Sequence, residues 1–150
     1  MSINKQELFN KCLDEVNEQI EKYQGKLDDI SGKNEDFKIN PDFDEYGNKG
    51  ESLTQYEKYA GFLDNAQKMK EKLANLDRNH FSETIKEGSV VETKKHYYYV
   101  AAPLGEIEME DGSQVFAIST DAPIYSEMEG KRKGEKFSFK NEEHEIVNVL

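Results

Sequence analysis

"FNKCLDEVNEQIEKYQGKLDDI", Phe9–Ile30, sets Phe9, Leu13, Val16, Ile20, Tyr23, Leu27 and Ile30 at alternating steps of four and three. That spacing is the seam of a coiled coil, and Glu, Lys, Gln and Asn fill most positions between. Cys12 lies beside Leu13 on the same stripe and reads as a small buried hydrophobe. Asn4 followed by Glu7 resembles a capping box, and Ser31-Gly32 offers a stop, so the spacing predicts a helix over 4–31. A second seam follows in Leu53, Tyr56, Ala60, Leu63, Ala66, Met69, Leu73 and Leu76. Ser52 and Gln55 form its capping box, and the pattern fades near Asn79, which predicts a helix over 52–79. Each helix is then about 42 Å long at about 1.5 Å per residue. Two apolar stripes joined by a loop predict an antiparallel hairpin, with pairing between chains as the alternative.

Between the seams lies "NPDFDEYGNKGES", Asn40–Ser52, with Asp42, Asp44, Glu45 and Glu51 beside Phe43 and Tyr46. A long loop of this kind between helices is usually functional or disordered. A solvated acidic linker is the other reading, and the two aromatics among the acids count against it.

The chain is net acidic at −11 over 150 residues, and the charge is not confined to one end. Residues 1–80 hold 12 basic and 17 acidic side chains, and residues 81–150 hold 8 and 14. Neither part is a nucleic-acid binder by bulk electrostatics. One cysteine excludes an internal disulfide and a cysteine-rich metal site. No apolar run approaches the roughly 20 residues needed to span a bilayer. "MSINKQELFN" lacks the apolar stretch of a signal peptide, so the expectation is a cytoplasmic protein. A monomer is expected as well.

Past "NHFSETIKEG" the periodicity changes. "SVVET", "HYYYVAA", "QVFAIS", "EKFSF" and "HEIVNVL" are β-branched and aromatic runs, with Gly105 and Asp111-Gly112 marking further short strands. A short helix is expected from Asp121 through Met128, ended by Gly130. Tyr97–Tyr99 reads as half core and half surface by strand alternation, with base stacking as the other option. His80, His96 and His144 lack metal-ligand spacing and read as scattered surface histidines. "GKRKGEK", Gly130–Lys136, is either a solvated turn or a docking patch for an acidic partner. The predicted class is α+β. A two-helix antiparallel coiled coil occupies 1–80, with an acidic tip loop over 32–51, and a small α+β domain occupies 81–150.

The second half resembles the C-terminal domain of the Gre transcript-cleavage factors. Gly88, Ser89 and Val91 match that family's first strand motif. Ile118, Ser119, Pro123 and Ile124 match its "(I/L)S…SPI" string, with Ala122 in place of the usual Ser. Gly130, Lys131, Gly134 and Glu135 match "GK-x-x-GD", with Glu for Asp. The loop "DEYGNKGESLTQYE" is similar to that of short Gre-like proteins from Bacteroidetes-type bacteria. The resemblance implies an FKBP-like second domain without prolyl isomerase activity, since fold does not give function. It implies a transcription elongation factor that binds core RNA polymerase, with Ser119, Pro123 and Ile124 in the contact. It also implies a hairpin pushed into the secondary channel, meeting the RNA 3′ end only within the polymerase. Family tip acids stand three residues apart and help hold Mg²⁺ shared with the polymerase, so the protein is not itself an enzyme. Asp42 with Glu45 keeps that spacing, whereas Asp44 with Glu45 aligns better with the short relatives as the metal pair. The tip departs from the usual "D-x-x-E-N-A-E-Y", which leaves a channel-binding regulator without cleavage activity as the alternative.

Overall fold

The computed structural model describes residues 3–39, 48–77 and 81–150, and within 33–39 and 48–52 the helical backbone alone. Helix α1 spans Lys5–Ile39 and α2 spans Asn48–Ala74. The Asn4 side-chain oxygen accepts a hydrogen bond from the Glu7 backbone N–H at 3.0 Å, which satisfies one of the orphan donors of the first turn. Both helices run further toward the acidic loop than their stop and start signals predict. Ser31-Gly32 does not end α1, and Ser52 lies inside α2. A glycine in an exposed helix costs about 1 kcal/mol, too little to stop a long helix whose next residues include good helix formers. At its other end α2 stops at Ala74, short of the predicted 79, as the Leu76 N–H turns back to the Leu73 carbonyl at 3.1 Å.

The chain divides into two compact units, Val16–Lys70 on one hand and Met1–Glu15 with Glu71–Leu150 on the other. In the first, Tyr23 of α1 packs on Tyr59 and Phe62 of α2, with ring centroids 6.3 Å and 5.3 Å apart. A residue midway along α1 thus meets residues midway along α2, and the start of α1 shares a compact unit with the end of α2, as antiparallel helices require. Val16, Leu27, Ile30 and Ala66 are buried, whereas Leu53 and Tyr56 of the expected seam are exposed. A pair of helices has only one interface, so apolar residues off its centre stay open.

In the second unit, six strands follow: β1 Val90–Thr93, β2 Tyr97–Val100, β3 Gly105–Glu108, β4 Gln114–Ile118, β5 Lys136–Phe139 and β6 Glu142–Val149. Helix α3, Pro123–Met128, lies between β4 and β5 in sequence. The sheet order is β3-β4-β2-β1-β6-β5, with β2 and β4 parallel and every other pair antiparallel. The architecture is α+β, two helices followed by a mixed sheet, as the change of period predicts.

Tyr98 and Tyr99 are adjacent in β2 and therefore point to opposite faces, yet both are buried. Half of the tyrosine run was expected at the surface, and the covering of both faces overturns that expectation. It also removes these two rings from any base-stacking role. On one face Tyr98, Val91, Val100, Phe137 and Ile146 pack with Tyr125 and Met128 of α3. On the other, Tyr99 pairs in register with Val90 and lies beside Cys12 of α1. Glu7 at the start of α1 accepts the Glu110 backbone N–H at 2.9 Å. Leu8, Cys12 and Leu73 are fully buried.

His144 also departs from expectation. It is buried, its ring stacks on Phe137 at 5.0 Å, and its Nδ1 has no hydrogen-bond partner among the described residues. An orphaned buried polar atom of this kind costs about 1–3 kcal/mol.

Burial, with Glu15 adding to it, pushes the Cys12 thiol from its ordinary 9.0 up to about 12. Burial, with Cys12 beside it, pushes the Tyr99 phenol up to about 12. Both groups hold their protons more tightly when folded. Their contribution to stability is therefore intact below pH 9.0 and lost as pH rises toward 12. In the native protein Cys12 is expected to resist a thiol reagent at mildly alkaline pH and to react fully in denaturant. Rapid labelling of the native protein, read by mass spectrometry, would contradict its burial.

Candidate partner-binding site

Residue by residue, the second unit explains much of its own motif pattern. Gly88 sits at φ 94°, where side chains are strained, and the hydroxyl of fully buried Ser89 accepts the Lys86 N–H at 3.1 Å. Gly130, at φ 77°, ends α3 in the left-handed conformation. Glu135 closes the turn that follows in both directions. Its carboxylate accepts the Arg132 N–H at 3.1 Å, and its own N–H donates to the Arg132 carbonyl at 3.0 Å. A side-chain acceptor is needed there to take that bond, and the Glu135 carboxylate supplies it. Gly88, Ser89, Gly130 and Glu135 therefore hold the fold, whatever else they do.

Ser119, Pro123 and Ile124 are brought together at the junction between β4 and α3. The Ser119 hydroxyl accepts the Asp121 N–H at 3.2 Å, and its carbonyl accepts the Ala122 N–H at 3.1 Å, which bends the chain off the sheet. Pro123 then opens α3, where its missing N–H costs nothing. Pro123 is exposed, Ser119 is half-buried, and Ile124 is half-buried against the α3 face of the core. The junction is thus a small apolar surface with a fixed proline at its outer edge. Ala122 extends before the proline at φ −65°, ψ 135°, and offers no side-chain cap to the helix.

Asp42, Asp44 and Glu45 lie outside the described residues, as do His80 and the aromatics Phe43 and Tyr46. Among the described residues no group of three or more His, Cys, Asp or Glu side chains is arranged to hold a metal ion. None of the described helices is long and apolar enough to cross a membrane. Sequence reasoning missed two features of this unit. One is Phe81, 68% exposed within a stretch read as a linker. The other is the bridge pairing Thr84 with Arg132. No local pattern announces either, because Phe81 and Ile85 make a single apolar pair with no further repeat and an isolated bridge has no repeat at all.

Fold and junction together define an α+β protein with an N-terminal helical pair and an apolar strand–helix junction. No protein-family model matches the chain, and no curated protein matches its sequence. Among solved structures it is similar to one described as the transcription factor Gfh1, at 17% identity and a TM-score of 0.38, covering 93% of both chains. It is similar also to GreA factor homolog 1 (Gfh1) of Thermus thermophilus, at 17% identity and a TM-score of 0.34, covering 93% of this chain and 95% of that one. The Thermus aquaticus Gfh1 structure gives 17% and 0.34, with 93% and 94% covered. Similarity this distant carries no argument about function.

Restoring a cap at the junction should stabilise it. Ala122→Ser is expected to raise the unfolding free energy by about 0.5–1 kcal/mol, since a serine oxygen can accept an orphan N–H of the first turn. Urea denaturation checks this, and a loss of stability would show that the cap position is not as placed.

Proposed function

We propose that the protein is a Gre-type transcription factor. It docks on core RNA polymerase through its second unit, enters the secondary channel with its helices, and stimulates cleavage of backtracked RNA. What carries the reading is the coincidence of two things in one chain. An antiparallel helical hairpin precedes the domain, and Ile118-Ser119 and Pro123-Ile124 fall at a strand–helix junction in the order of the Gre C-terminal motifs. Asp44 with Glu45, or Asp42 with Glu45, are the candidate tip acids. Carboxylate oxygens suit a hard divalent cation, and Mg²⁺ shared with the polymerase supplies an activated water against the phosphodiester. The active site belongs to the polymerase, and this chain contributes carboxylates and their placement.

A second reading has its own support. The tip lacks the string that accompanies cleavage in the Gre factors, and a protein of this build that docks without cleaving would act as a regulator of initiation or pausing.

Arrested elongation complexes distinguish the two. With cleavage, short 3′ RNA fragments are released in the presence of Mg²⁺, and changing Asp44 and Glu45 together to alanine abolishes their release while sparing polymerase binding. Binding without fragments from the unaltered protein selects the regulator. Pro123→Glu tests the docking surface, because Pro123 is exposed and an exposed substitution shifts stability by no more than about 0.5 kcal/mol. Ile124 is less suitable, since a charge there also disturbs the core. Undiminished binding by folded Pro123→Glu protein would sink the docking assignment.

A further inference from the structure

We propose that the groove between Phe81 and the Arg132–Lys133 turn is a docking surface for an acidic peptide segment of another protein that also carries an apolar side chain. The groove measures about 300 Å³ and is lined by Phe81, Glu83, Arg132, Lys133, Asn148 and Val149. Phe81 is 68% exposed, the most open large apolar side chain among the described residues. Its segment is nonetheless anchored. Thr84 bridges to Arg132, the Ile85 N–H donates to the Lys131 carbonyl at 2.8 Å, and the Gly130 N–H donates to the Ile85 carbonyl at 2.9 Å. Ile85 is buried, so the ring and the two cations are held on one firm frame. A ready-made apolar anchor of this kind is what partner recognition uses.

The charges favour an acidic partner. Lys68, Lys94, Lys95 and Lys136 each lie against a carboxylate. Arg132 and Lys133 are exposed and form no ion pair among the described residues. Glu135 meets the Arg132 backbone N–H, and among the described residues Glu83 is the one acid lining the groove. Two exposed cations and a ring complement a short segment with carboxylates flanking an apolar residue. A nucleic acid fits less well, because a long polyanion also meets the field of a chain with net charge −11. None of these residues belongs to the Ser119–Ile124 junction, so a variant of one surface leaves the other intact.

The test uses the full chain with two fluorescent probes, an alternating glutamate peptide carrying one phenylalanine and an oligothymidine of equal length. Saturable peptide binding that weakens with salt is expected. Arg132→Glu with Lys133→Glu should weaken it about tenfold, the effect of reversing charges that complement a partner. Phe81→Ser should weaken it without changing the salt dependence. In the unaltered protein, amide shifts on titration should gather at 81–84 and 131–134, a readout that does not depend on any variant folding. Absence of saturable binding, indifference to the double charge reversal, shifts gathered elsewhere, or binding of the oligothymidine alone would each overturn the proposal.

Discussion

Two adjacent tyrosines in one strand, both buried, set the terms for the second unit. Tyr98 and Tyr99 point to opposite faces of β2, so the sheet must be covered twice. Helix α3 covers the Tyr98 face, and Tyr99 lies beside Cys12 at the start of α1. Leu8, Cys12 and Leu73, which the sequence places in helices, are buried in the same compact unit as the strands. Burial also raises the proton affinity of both Cys12 and Tyr99, since neither charged form can be hydrated there. The parallel pairing of β2 with β4 suits a strand buried on both faces.

The strands were legible because β-branched and aromatic runs between turn residues leave few other solutions. The covering of the second face was less so, although "HYYYVAA" carried the signal. An unbroken apolar run marks a strand buried on both sides, whereas alternation marks one buried on a single side. His144 tells the same story in reverse. It is in phase with Ile146 along β6, and that phase puts it inside, whatever the usual habit of histidine. Helix ends were the weak point. Ser31-Gly32 and Ser52 are genuine local preferences, each worth about 1 kcal/mol, and a long continuous helix overrides them. The tip acids, legible as a cluster, lie outside the described residues.

The motif glycines and acids bear differently on fold and on function. Gly88, Ser89, Gly130 and Glu135 each have a backbone reason to be what they are. A likeness at those positions speaks for a shared turn geometry. Pro123 is different, because the core does not need its exposed ring, and a likeness there bears more directly on what the surface meets.

The second unit is discontinuous in sequence, built from the first residues and from those after Lys70. Segments so far apart would ordinarily be slow to meet, because closing a long flexible loop costs entropy before any contact is gained. An antiparallel hairpin changes that arithmetic. Once α1 and α2 zip together, the intervening segment is no longer a flexible loop and returns the chain to where it left. The hairpin lowers the entropy cost of that closure. Its length is also a free variable, since whole turns added in matched pairs to both helices would leave the closure, and the sheet it completes, unchanged.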